Sequence, residues 1–353
     1  MKKIICVVLC LVLLASGNMV LADSAFIANN DVLFCQEYVV NVMSKLQNGS
    51  FGIPVIENYR VLLDVETDAP VAIAFSFEEE KGFAIIGIDN LYLYEASFEE
   101  SSPYKDVDIT YNVYYNGYFE YFFKKDGKFI RTESAEQINQ STKVCESEQC
   151  YDSLISVMDE SSINVVFTNA QKMEMISRLK DNDLSRATIP FKRISGILST
   201  SWENGLCGPT SAFVMLKYKG RVESGYTDSY NIYKISEFTG REVTLTTLKN
   251  GIHEYLNAKG FSGSVASSGF NFTLVRNEIN NNEPLTLGTS AHYEDGEYKV
   301  GHVQTIWGYE ATYDGTFTTY IMYVNDSHGS NGDIISYRTT PNSWLADHVY
   351  FTS

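Results

Sequence analysis

Apolar positions between Ala25 and Gln47 recur every three or four residues: Val32, Leu33, Tyr38, Val39, Val42, Met43 and Leu46. That period predicts a helix with one buried face. Asn48-Gly-Ser then stops it. From Tyr59 the rhythm changes. Tyr59 to Val65, Pro70 to Phe77, Gly82 to Ile88 and Leu91 to Tyr94 are short apolar runs separated by charges or glycines, the pattern of strands. Asp106 to Phe123 alternates and is rich in tyrosine and phenylalanine, and Lys125-Asp-Gly127 supplies a hairpin turn. Ser153 to Met158 and Lys172 to Leu179 return to helical spacing. The first half thus predicts an α+β unit built on an antiparallel sheet.

The pattern breaks at Asp181-Asn-Asp183 and Arg186-Ala-Thr-Ile-Pro-Phe-Lys192-Arg193. These residues are polar or proline-bearing, and they place a domain boundary near residue 190. An exposed linker of this kind is either plain connection or a site where proteases cut. Beyond it, residues 191–353 have a different grain. A helix is expected directly after Cys207, and another from Thr246 to Ala258 with Leu248, Ile252, Tyr255 and Leu256 on one side. Gly301 to Tyr309 and Thr318 to Asn325 read as strands. Helices first and strands later is again an α+β layout.

Composition narrows the class. The chain has 353 residues, 44% of them apolar, which allows two packed domains. Its formal charge of −17 argues against a nucleic-acid partner, which calls for a basic footprint. Residues 1–22 read as a secretory signal: Lys2-Lys3, an apolar core from Ile4 to Ala15, and a cleavage site at Val20-Leu21-Ala22. A secreted, extracellular protein is expected, with no membrane association once the signal is gone. Domains of 23–190 and 191–353 follow. Of six cysteines, Cys6 and Cys10 leave with the signal. Cys35, Cys145 and Cys150 can pair among themselves in an oxidising compartment. Under either pairing that uses Cys35 or joins Cys145 to Cys150, Cys207 can stay free.

That free thiol sits in Trp202-Glu-Asn-Gly-Leu-Cys207-Gly-Pro-Thr-Ser-Ala-Phe-Val-Met-Leu. Pro209 suits a first helical turn, and Ala212, Phe213, Met215 and Leu216 give the helix a buried side. Cys207 is therefore expected at a helix N-terminus, where unpaired N–H groups favour a thiolate. All five histidines, His253, His292, His302, His328 and His348, follow the boundary. His302 opens a strand behind Gly301 and shares a face with Gln304 and Ile306. A second strand ends in Asn325-Asp326. If the two strands pair, a thiol, an imidazole and a group to orient the imidazole come to one end of a sheet, the parts of an activated-thiol site. His253 fits an exposed helix face, His292 a solvated turn, His328 a post-strand turn and His348 a terminal apolar run. No H-E-x-x-H, paired C-x-x-C, GxGxxG or P-loop occurs, so no metal or cofactor is expected.

Cys207-Gly-Pro-Thr-Ser211, Gly301-His302 with Gly308-Tyr309, and Val324-Asn-Asp326, in that order, resemble the papain-like cysteine peptidases. They are similar in particular to the bacteriocin-processing peptidase type and its secreted relatives. The resemblance covers roughly residues 195–345. It implies a papain-like domain with the nucleophile Cys207 on a helix packed against an antiparallel sheet. It implies His302 as base and acid, and Asp326 as orienter with Asn325 the alternative. Those families carry a glutamine six residues before the cysteine to help form the oxyanion hole. Here Ser201 stands there, and Ser201, Asn204 and the Cys207 backbone N–H are the candidate donors.

Gly82-Phe-Ala-Ile-Ile-Gly-Ile-Asp89 with Leu91-Tyr-Leu-Tyr94 resembles the propeptide of streptopain-like peptidases. It implies that residues 23–190 are a prodomain acting as an intramolecular inhibitor. The expectation is a secreted peptidase made as a zymogen, acting on protein or peptide substrates. Two other readings use the same residues: another thiol acyl transfer, of amidase or transglutaminase type, or a binding or toxin-like protein on an inactive scaffold, motivated by Ser201.

Overall fold

A computed structural model describes residues 29–46, 52–65, 67–78, 82–98, 100–118, 121–132, 166–180, 191–198, 206–241, 243–289, 292–294, 297–299, 302–313, 318–325, 333–338 and 345–352. The expected helix at 153–158, Cys145, Cys150 and the signal region lie outside them.

Helix α1 (Asn29–Met43) is followed by seven strands: β1 (Ile56–Leu63), β2 (Pro70–Phe77), β3 (Phe83–Gly87), β4 (Leu93–Ser97), β5 (Val113–Tyr115), β6 (Tyr121–Lys125) and β7 (Lys128–Arg131). Helix α2 (Asn169–Lys180) closes the first half. The amphipathic faces of α1 and α2 behave as their spacing requires. Tyr38, Val39, Val42 and Met43 are buried with Met175, Ile176 and Leu179. Buried Lys172 on α2 meets Asp31 on α1 at 2.8 Å. Two expected strands move. Leu91 to Tyr94 begins as a turn, because the Asn90 side chain accepts the Tyr92 N–H at 3.0 Å, and the strand starts at Leu93. Asp108 likewise accepts from the Thr110 N–H and hydroxyl, so residues 106–112 turn before β5.

The second half begins with β8 (Lys192–Arg193) and four helices: α3 (Cys207–Tyr218), α4 (Asp228–Thr239), α5 (Leu245–Lys259) and, after β9 (Ser264–Ser268), α6 (Phe272–Asn280). Helix α3 is apolar on every side and buried from Gly208 to Leu216, as a helix enclosed by other layers should be. Thr227, Thr244 and Asn271 cap α4, α5 and α6 by accepting backbone N–H groups, and Gly260 ends α5 with φ 71°. Strands β10 (Leu285–Thr289), β11 (His292–Glu294), β12 (Glu297–Lys299), β13 (His302–Tyr313), β14 (Thr318–Asn325), β15 (Asp333–Arg338) and β16 (Leu345–Thr352) complete it. The turn expected around His292 is instead a two-stranded hairpin of β11 and β12, with His292 opposite Lys299.

Among the described residues, one sheet of 14 strands carries nearly all of this, in the order β7-β6-β5-β1-β2-β3-β4-β15-β14-β13-β10-β16-β9, with β8 on β13. Its centre is the pairing of β4 with β15: Asp333 with Ser97, Ile334 with Ala96, Ile335 with Glu95. The sheet therefore runs through the position where the sequence breaks. So does the core. Trp307, Ile321 and Tyr323 of β13 and β14 cluster with α1 and α2. Met322, Val324 and Ile335 belong to the cluster of Tyr92, Tyr94 and Tyr104 on the opposite face.

Candidate active site

Helix α3 begins at Cys207, as its loop-then-helix pattern requires. The position before it, Leu206, offers no side-chain cap. The first N–H groups of the helix are thus left to other acceptors. The sulfur is one of them. Burial pushes the Cys207 thiol up from its ordinary value. The backbone N–H groups of Val303, Gly208 and Cys207 itself, and the positive charge of Arg131, act the other way without overcoming it. The helix terminus does favour the thiolate as expected, but enclosure wins.

Three residues of the motif fix where the sulfur sits. Gly208 is required by close approach: a Cβ there would lie 2.3 Å from Val243 Cγ2, in the loop between α4 and α5. Buried Thr210 and Ser211 face inward. The Thr305 hydroxyl donates to the Ser211 carbonyl at 3.2 Å and shares a hydrogen bond with the Ser211 hydroxyl at 2.8 Å. That tie docks α3 on β13, the strand headed by His302. The bond from the Val303 N–H then sets the sulfur against the peptide that joins His302 to Val303.

His302 is 9% exposed and stands opposite Thr289 of β10 in the ladder. Gln304, two residues on, donates from Nε2 to the Thr289 hydroxyl at 2.7 Å, so this end of β13 is held by side chains as well as by the ladder. β13 and β14 do pair antiparallel. Asn325 falls opposite Thr305, at the His302 end of the hairpin. Asn325 is fully buried, and its Nδ2 donates to the Leu198 carbonyl at 2.9 Å. It thereby anchors the chain at Leu198, nine residues before Cys207. Asp326, Asn204 and Ser201 lie outside the described residues.

The remaining histidines separate by environment. His253 is exposed on α5. His348 is fully buried on β16. Its Nε2 accepts the Asn271 N–H at 3.3 Å, and its Nδ1 lies 3.3 Å from the Thr286 carbonyl. Burial lowers its pKa to about 4, which keeps it neutral and structural. His328 lies outside the described residues. Cys35 is a free, buried thiol on α1 whose pKa is pushed up to about 12, chiefly by burial. Among the described residues no cluster of three or more His, Cys, Asp or Glu could hold a metal. No helix of the structure is long and apolar enough to cross a membrane, among the described residues.

A thiol on a helix tip, docked by its own motif against the first peptide of a histidine-headed strand, is the geometry against which known families can be compared. Residues 191–349 match the model of the Peptidase_C39 like family. No curated protein was found to match the chain. The match supports a cysteine peptidase of papain-like type over this half, and the mixed helix and sheet architecture agrees with it. The Peptidase_C39-like span starts at Phe191, directly after the break near residue 190, and takes in Cys207, His302, Asn325 and Asp326. Among the influences on the thiol, the charge of Arg131 comes from outside that span. Nothing in the sequence near it marks the residue, because β7 and α3 lie far apart along the chain.

Proposed function

We propose that this chain is a secreted cysteine peptidase held in check by its own N-terminal half. Cys207 is the nucleophile. His302 takes the thiol proton, and returns it to the leaving amine. Asp326 orients the imidazole, with Asn325 as the alternative. The Cys207 N–H, with Asn204 or Ser201, stabilises the oxyanion. The supporting observation is the docking of α3 on β13 through Ser211 and Thr305, which brings the enclosed thiol to the His302–Val303 peptide. The charge of Arg131, on β7 of the first half, acts on the thiol, which supports an influence of that half on the site.

The test is casein digestion before and after limited treatment with a general protease, subsequently inhibited, that removes residues 23–190. The intact chain should be nearly idle. Treated wild type should digest casein, and treated Cys207→Ala and His302→Ala should lose at least a thousandfold of that rate, as removal of a nucleophile or base generally does. Failure of treated wild type to cut casein, with residues 191–353 intact by mass spectrometry, would sink the reading.

A further inference from the structure

We infer that cutting the linker does not release the N-terminal half: the two pieces remain one body, joined by strand addition of β4 to β15. Three independent features of the fold carry this. The β4–β15 ladder lies at the middle of the sheet, with six strands beyond β4 on one side and the strands that carry the candidate site on the other. A row of backbone donors and acceptors on β15 is satisfied by β4, and separation would open two raw edges at once. The seam is also closed by side chains on both faces. On one face Trp307, Ile321 and Tyr323 are covered by α1 and α2. On the other, Ile335 is fully buried in the cluster of Tyr92, Tyr94 and Tyr104.

The third feature is Glu95. It is 1% exposed on β4, directly opposite Ile335. Tyr104 and Tyr115 both have phenols pushed well up, by burial first and by the nearby Glu95 second. The place of Glu95 opposite Ile335 puts this buried side chain on the seam itself, inside a closed layer rather than in a polar, wet contact of the kind separable domains make. The contacts named here join residues on either side of the segment 181–190, so they do not depend on that segment being continuous. Release of the first half is then a separate step from cleavage, requiring unfolding or digestion of residues 29–180.

This rests on the processing reading of the linker only for its occasion. The binding itself is measured without peptidase activity, in the Cys207→Ala chain, so it stands or falls apart from that chemistry. A site for a sequence-specific protease is placed between residues 183 and 188 and cut to completion. Denaturing gels should show two fragments, while native size-exclusion should show one peak at the volume of the uncut chain. Two native peaks would overturn the inference. A second variant locates the contact. Ala96→Cys with Ile334→Cys puts two thiols on directly opposed residues, at the spacing a disulfide spans. After cutting, it should run as one band on a non-reducing denaturing gel and two when reduced. Failure of the cut, oxidised pair to stay linked would place the halves elsewhere and overturn the seam.

Discussion

Cys207 shows two neighbouring influences in opposition. Its helix N-terminus offers N–H groups that favour charge, and its enclosure disfavours charge more. Only the first is visible in sequence, because the spacing of Pro209 and the apolar run announces a helix start. The second depends on what lies over the site. The motif around it was legible for a comparable reason: Gly208 and Ser211 are fixed by local contacts with Val243 and Thr305. His348 was less legible. A histidine in an apolar run gives no sign of its hydrogen bonds, yet it makes the clearest titration prediction. Its folded pKa of about 4 lies below the ordinary 6.5. As pH falls through 6.5 the unfolded chain takes up the proton and the folded one does not, so stability is lost progressively down to about pH 4. The full loss is about 3 kcal/mol. Urea titrations from pH 7.5 to 4 should show a steeper decline for wild type than for His348→Gln, which is weaker at neutral pH but flatter. Parallel slopes would rule out His348 as the cause.

Strongly periodic elements were read from sequence with small errors at their ends: α1, α5, β2, β13 and β14. Those missed share a physical cause. Helix α4 buries Asn231, Ile232, Ile235 and Thr239 but exposes Tyr230 and Tyr233, so its apolar positions do not fall on one face. Helix α6 is short and held by its Asn271 cap. Strands β9 and β16 derive their pairing from each other across a long stretch of chain. Close approach of elements is likewise invisible until the fold is known. Gly251 on α5 is one such point: a Cβ there would meet Thr239 Cα at 2.5 Å and the Phe238 carbonyl at 2.6 Å, both main chain of α4. Backbone cannot swing aside as a flexible side chain does. Gly251→Ala should therefore destabilise by about 1–3 kcal/mol through forced separation of the helices. The urea midpoint should fall with little change in slope. An unchanged midpoint would show that α4 gives way freely.

At the scale of the whole molecule, the break near residue 190 is a real change of pattern, and the Peptidase_C39-like match begins beside it. The sheet that bridges the break had no sequence signal. β4 was legible as a strand, displaced by two residues, whereas β15 was not read as one, and nothing local says that each is the other's neighbour. Because that seam ties both cores, the intact chain should unfold in one step. The 3 tryptophans all follow residue 190 and report the second half by fluorescence, whereas far-UV circular dichroism reports both halves. The two urea transitions should coincide. A clear separation of midpoints would show halves that melt independently.

The position of β15 late in the chain also has a consequence for how the protein is made. β4 emerges from the ribosome early, and its neighbour on the open side is encoded near the end. At about 5–20 residues per second, the wait is on the order of tens of seconds. Throughout it the growing sheet presents an unfinished edge to every other strand in reach, and the seam forms only once almost the whole chain is available.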